Sequence, residues 1–397
     1  AWLWRGKALH EIGEYQKAID SFKQALKYKS DLPEAWYSMG KALYEIGHYH
    51  KAVDSFRQAL KFQSNYYAAL YYIGIVFYKL NRYHEAIDSY DQALRFKPDD
   101  LYSLYNRGLS LFDLGRLHLT INQAKTWLKG AIRDFRRVLR INNQTWQAWR
   151  ELGWATFYNS DYEQALAIWT EGIKIIQSTT PVNLEGCGVL YYACGCANYE
   201  YSKQQWHTEK DRLDFWQKAR SYFQEALEFF SAKDMCQRRL EVLEELIKVC
   251  RDLGETAQVR ALGKDGTAIL QLLLQETTSE KKRIQLKRKF SGLAGLQIDN
   301  LAKSFKRSHQ VKAIEEAEQH KNDCLSWFQN NHSHNVNFSP KYSDIQKLLD
   351  SHTAIIYWHI SPVAFTTFIL KYQKPLLVWH YQQSPNIFIR SCQRFVA

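Results

Sequence analysis

Cysteine is scarce in this 397-residue chain, and the seven present are odd in number and spread from Cys187 to Cys392. That excludes a disulfide framework, and thiols used this way belong to a reducing compartment, so the expected location is the cytoplasm. Cys187, Cys194 and Cys196 lie close together, but no second pair is near and Cys194 and Cys196 flank Gly195 on a helix that wants small residues. No metal site and no cofactor are expected. The pairs His48/His50 and His332/His334 sit in turn-like contexts and read as solvated loop residues. Long apolar runs are also lacking. Thr353 to Leu370 reaches 18 residues without a formal charge, but His359, Ser361 and Pro362 at its centre favour a soluble hairpin over a membrane span. No basic, apolar and small-residue leader opens the chain, so no secretory signal is expected. It starts with Ala inside a helical pattern and ends in an apolar segment, as a fragment of a longer protein would.

What the chain does have is a repeat. AWYSMGKALYEIGHYHKAVDSFRQAL is followed one register of 34 residues later by ALYYIGIVFYKLNRYHEAIDSYDQAL, and glycines fall at Gly6, Gly40, Gly74 and Gly108, with Gly153 a further 45 residues on. A fixed period of this length means stacked helical hairpins. Each unit opens with a bulky residue (Trp2, Trp36, Leu70, Leu104, Trp149), and the glycine follows one turn later on the same helix face. A second helix carries a small residue (Ala18, Ala52, Ala86, Ala131, Ala165) one turn before an aromatic (Phe22, Phe56, Tyr90, Phe135, Trp169). Small beside large is how antiparallel helices interlock. Gly13, Gly47 and Asn81 suit the left-handed residue that ends a first helix. Pro33 opens one helix and Pro98 closes another, where a missing N–H is tolerated.

The W, G, Y, A, F, A landmarks resemble the tetratricopeptide repeat. Five units cover residues 1–178, the fourth with 11 extra residues between its helices, around His118 to Lys129, expected to lengthen a turn. Residues 181–276 read as divergent repeats, a sixth unit around Gly195, Ala219, Phe223 and Ala226 and a degenerate seventh from Asp234 to Gln275.

Residues 280–329 form a basic helical segment. Within 280–312, ten cations stand against Glu280 and Asp299, a net +8 out of the chain's +12. Leu286, Phe290, Leu293, Leu301 and Phe305 recur at helical spacing, so the charges are expected on helices with an apolar stripe facing inward. Lys287, Arg288, Lys289, Lys306 and Arg307 are the candidate docking patch for an acidic partner or a phosphate backbone, against the plainer reading of a solvated face. No nucleic-acid module signature accompanies them, which makes nucleic acid the weaker reading. A polar linker, 330–342, follows. Then TAIIYWHI and AFTTFIL, rich in β-branched and aromatic residues and parted by Ser361 and Pro362, predict two strands joined by a tight turn.

Repeats, then AEQHKNDCLSW, a linker and SDIQKLLDSHTAIIYWHISPVAFTTFIL resemble the entry into a CHAT domain, a caspase-like peptidase domain associated with tetratricopeptide repeats, especially in cyanobacteria. The resemblance implies an all-α repeat solenoid followed, over residues 343–397, by a β-hairpin opening a truncated α/β domain. The family's catalytic dyad lies in His-Gly and Ser-Ala-Cys type motifs, and neither is present, so no catalytic residue is assigned. His359 and Cys392 have the right order, but His359 is inside an expected strand with no Gly after it, and Cys392 lies in a tail unlike the family's next segment.

The expected function is a scaffold that holds a regulator or substrate protein beside a cysteine peptidase whose catalytic part is missing. The alternatives are a non-catalytic adaptor and a scaffold docked on a ribonucleoprotein through the basic segment. First helices of such hairpins line an inner groove, and there the chain repeats aromatics: Tyr37, Tyr71 and Tyr105 in one row, Tyr44, Tyr78, Phe112 and Phe157 in another, with Lys7 and Lys41 beside them. Tyrosines with a few lysines suit an extended peptide or a partner helix. The Asn and Lys clamp that grips chaperone C-termini is replaced by Trp4, Ser38, Tyr72, Ile75 and Leu109, so a chaperone is not the expected partner.

Overall fold

The computed structural model describes residues 1–204, 208–231, 234–293, 308, 310–315 and 317, and the backbone of 354–360, 365–371 and 377–381. Cys324, Cys392, His332, His334, Lys306, Arg307 and the linker 330–342 lie outside these residues. The chain divides into two units, 1–186 and 187–397.

The first unit is five antiparallel helical hairpins: α1 (Trp2–Glu11) with α2 (Tyr15–Tyr28), α3 (Pro33–Glu45) with α4 (Tyr49–Phe62), α5 (Tyr67–Lys79) with α6 (Tyr83–Phe96), α7 (Leu101–Leu117) with α8 (Gln123–Ile141), and α9 (Trp146–Tyr158) with α10 (Tyr162–Gln177). Each hairpin closes on one contact. A Cβ added at Gly6, Gly40, Gly74, Gly108 or Gly153 would stand 2.1–2.8 Å from the ring of Phe22, Phe56, Tyr90, Phe135 or Trp169, the aromatic of its own second helix. The missing side chain is the space the ring fills, and all five rings are fully buried. The turns take a left-handed residue at Gly13, Gly47 and Asn81, and Ser160 fills the same place in the fifth hairpin with φ +73°.

The fourth hairpin departs from the sequence expectation. Its extra residues do not form a long turn: α7 has 17 residues against 13 in α3, α8 has 19 against 14 in α4, and only residues 118–122 remain between them. Both helices simply run on for about another turn. Leu128, fully buried, packs in the space left by Gly115, and this contact lets the lengthened helices stay paired.

In the second unit α11 (Leu184–Ser202), which begins three residues before the division, packs on α12 (Glu209–Phe229), and Gly195 meets Phe223 as Gly40 meets Phe56. A Thr208–Asp211 capping box starts α12. Next come α13 (Cys236–Asp252), a turn with Gly254 at φ +77°, and α14 (Thr256–Glu276). The basic helix α15 (Glu280–Lys289) buries Leu286, followed by buried Phe290 and Leu293, and Leu293 sits against Gly266 of α14. The backbone of β1 (Ala354–Ile360), β2 (Phe365–Lys371) and β3 (Leu377–Tyr381) forms an antiparallel sheet in that order, with Ala354 opposite Lys371 and Phe365 opposite Tyr381.

Candidate peptide-binding face of the repeats

The first-row tyrosines sit half-buried on the first helices, each packed against aromatics of its own hairpin, and Tyr37 also against those of the next. Tyr37 lies 5.9 Å from Phe56, 5.0 Å from Tyr66 and 5.6 Å from Tyr72, all between ring centres. Tyr71 contacts Tyr72 at 5.6 Å and Tyr90 at 6.0 Å, and Tyr105 lies 5.8 Å from Phe135. Burial pushes the phenols of Tyr71 and Tyr105 up to about 12, and that of Tyr37 upward as well, helped by Tyr72. These hydroxyls therefore stay protonated donors at any physiological pH. The Tyr71 hydroxyl accepts from Asn106 Nδ2 at 3.2 Å and keeps its own proton for a further partner.

The second row is more occupied. Tyr44 is half-buried against Tyr49 at 5.8 Å, Tyr78 donates to Asp113 Oδ2 at 2.7 Å, and Phe112 is only 7% exposed. Phe157 packs edge-on to Trp154. The next hairpin covers this row, because Asp113 stands 35 residues after Tyr78, one repeat along on the adjoining first helix.

Lys7, Tyr37 and Lys41 come together in an open cleft of about 320 Å³, lined also by His10, Glu11, Phe22, Glu34, Ser38 and Tyr66. Lys7 pairs with Glu34 and lies 4.6 Å from the Trp4 ring centre, while Lys41 rests 5.8 Å from that of Tyr72. His10 Nε2 is buried there without a hydrogen-bond partner. The cleft thus offers ammonium and hydroxyl groups beside aromatic rings, a set that fits the carbonyls and polar side chains of an extended chain. The repeat pattern does not single out His10, Glu34 or Tyr66. Tyr66 is visible in the doublets Tyr66–Tyr67 and Tyr71–Tyr72, whereas the part played by His10 depends on how the first two hairpins stack.

Lys287, Arg288 and Lys289 share the last turn of α15, where Lys289 pairs with Glu241 of α13. His359 lies in β1. Burial pushes the thiols of Cys194 and Cys196 up, and that of Cys250 to about 12, the opposite of what a nucleophile needs. Among the described residues no group of three His, Cys, Asp or Glu side chains is placed to hold a metal ion, and no helix is long and apolar enough to cross a membrane.

The TPR repeat family model matches residues 6–47, and the tetratricopeptide repeat model matches residues 37–100 and 74–119. The chain carries tetratricopeptide repeats. Among solved structures, it is similar to residues 41 to the end of MamA from Desulfovibrio magneticus, at 22% identity over 45% of this chain and 94% of that one, TM-score 0.40. It is also similar to YrrB, described as a TPR protein with an unusual peptide-binding site, at 21% identity over 45% and 87%, TM-score 0.38. A third is the C-terminal part of a TPR repeat-containing protein from Cytophaga hutchinsonii, at 17% identity over 70% and 97%, TM-score 0.49. No curated protein matches the sequence. Repeats of this kind serve as protein–protein interaction scaffolds, and that is the class to which this chain's repeats are assigned.

Proposed function

We propose that the repeats hold an extended protein segment across the first-helix face, with Tyr37, Tyr71 and Tyr105 as contacts and the cleft at Lys7 and Lys41 as one end. The observation that carries this reading is the open cleft that gathers Lys7 and Lys41 beside the rings of Tyr37 and Tyr66. By the CHAT resemblance, the bound segment belongs to a regulator or substrate of a caspase-like cysteine peptidase domain that opens over residues 343–397, in a cytoplasmic protein of cyanobacterial type. The 397 residues lack the dyad motifs and do not themselves cleave.

Panning a random peptide library on the chain and measuring the selected peptide against Tyr37→Ala, Tyr71→Ala and Lys41→Ala tests the groove. Each well-seated aromatic is expected to cost about 1–2 kcal/mol, roughly five- to thirtyfold in Kd. Peptides that bind all three variants as well as the parent would refute the groove. The peptidase reading is tested separately, by whether a His-Gly and an Ala-Cys motif follow residue 397 in the coding sequence.

A further inference from the structure

The helix α8 carries a line of cations that neither the repeat architecture nor the groove uses. Its inward face is Ala124, Leu128, Ala131, Ile132, Phe135, Val138 and Leu139, all buried. On the outward face Lys125, Lys129, Arg133, Arg136 and Arg140 follow at intervals of four, four, three and four residues, all exposed. That spacing stacks them on one side of the helix over about 22 Å. The one acid on α8, Asp134, is turned inward and held by Arg107.

Partners for this line are few. Arg133 is 3.9 Å from the buried Asp134, and Arg136 reaches Gln164 at 3.3 Å. Lys125, Lys129 and Arg140 form no ion pair among the described residues. Asp99 is taken by Arg137, and exposed Asp88 and Glu163 on α6 and α10 form no ion pair with α8 among those residues. Like charges one turn apart repel, and a cation in the last turn alone answers to the helix dipole. Five in a row need another account.

Beside the line lies a cleft of about 530 Å³ between α8 and α10. Arg136, Arg140, Asn143, Gln164 and Glu171 ring its polar side, and Leu139, Ile168 and Ile175 are among its apolar lining. A phosphate backbone would use the cations and leave the apolar part of the cleft uncovered. A helix with carboxylates one turn apart on one side and leucines on the next would use both, since its acids repeat at the same pitch as the arginines.

We propose that this outer face of α8 is a second docking site, for an acidic amphipathic helix of a protein partner. The site is independent of the inner groove. The test uses the full chain and a fluorescent 20-residue helical peptide with glutamate at every fourth position and leucines on the adjoining face. Binding that weakens steeply with salt, falls at least about tenfold in R133E/R136E/R140E and also falls in R136A/R140A is the expected result. A peptide with lysine for glutamate should bind the charge-reversed variant better than the parent chain. Circular dichroism establishes that the variants are folded. The proposal is overturned by absent binding, by variants that bind as well as the parent, or by a peptide with serine for leucine binding equally well. Tighter binding of a 20-nucleotide single-stranded RNA would overturn it too, assigning the line to phosphates.

Discussion

At Gly40 and Gly47 one residue type does two different jobs. A Cβ at Gly40 would lie 2.6–2.9 Å from the buried Phe56 ring, whereas at Gly47 there is open space and the constraint is φ +78°. Gly40→Ala is expected to cost about 1–3 kcal/mol through overpacking, and Gly47→Ala about 1–2 kcal/mol through backbone strain. Urea unfolding of the two variants checks both, and Gly47→Asn should recover most of the loss because Asn81 holds the same turn position. Another residue-scale effect is electrostatic. Burial raises the Glu244 carboxyl from its ordinary 4.5 to about 7, assisted by Glu245 and Glu241 and opposed by Lys248 and Lys289. The folded state therefore keeps a proton that the unfolded chain has released, so stability falls as pH rises from about 4.5 to about 7 and levels off above. Glu244→Gln should flatten that part of the stability profile, read as urea midpoints at pH 5 and pH 8, while an unchanged slope would show that Glu244 is not its source.

Among elements, the fourth hairpin has a buried ionic tie. Arg107 on α7, with its side chain 12% exposed, donates from Nε and Nη2 to the fully buried Asp134 on α8 at 2.7 and 2.6 Å, and also pairs with Asp91 on α6. Two carboxylates and the fork of one guanidinium join three helices. Asp134→Ala leaves the arginine half-paired in a buried place and is expected to cost about 3 kcal/mol, whereas Asp134→Ala with Arg107→Met should recover part of it. A double-mutant cycle in urea measures the coupling, and additive losses would show that the pair does not tie the helices. This clip is not legible in the sequence, because the charges stand 27 and 16 residues apart and nothing in the local pattern pairs them. The longer helices of this hairpin are hidden for the same reason. Residues 118–129 read as an insertion at a turn, and only the packing of Leu128 against Gly115 makes most of it helix.

For the whole molecule, stability in a repeat array is a sum of local terms, since each hairpin touches its neighbours and little else. Gly153→Ala, which would put a Cβ 2.1 Å from Trp169, is therefore expected to raise amide exchange in α9 and α10 and in α8 beside them, and to leave α1 and α2 near parent values. A uniform rise across α1 to α10 would mean that the first unit unfolds all at once. The same locality makes so much of the fold readable. The hairpin order, the small-and-large pairs and the left-handed turns all follow from residues within one 34-residue register, and the repeat family models match inside residues 6–119.

The amino-acid sequence alone determined that the chain folds as tetratricopeptide hairpins, because helix periodicity, glycine gaps and turn residues act within a few turns of chain. It also placed Tyr37, Tyr71 and Tyr105 in one row, since equivalent positions of a repeat must align. Which of these groups has a free valence was decided only by tertiary structure. Tyr78 is spent on Asp113 and Phe112 is sealed in the core, whereas His10 Nε2 is left without a partner between two hairpins. A hydrogen bond or a buried ring depends on what the next repeat brings within a few ångströms, and that neighbour lies some 35 residues away in the chain.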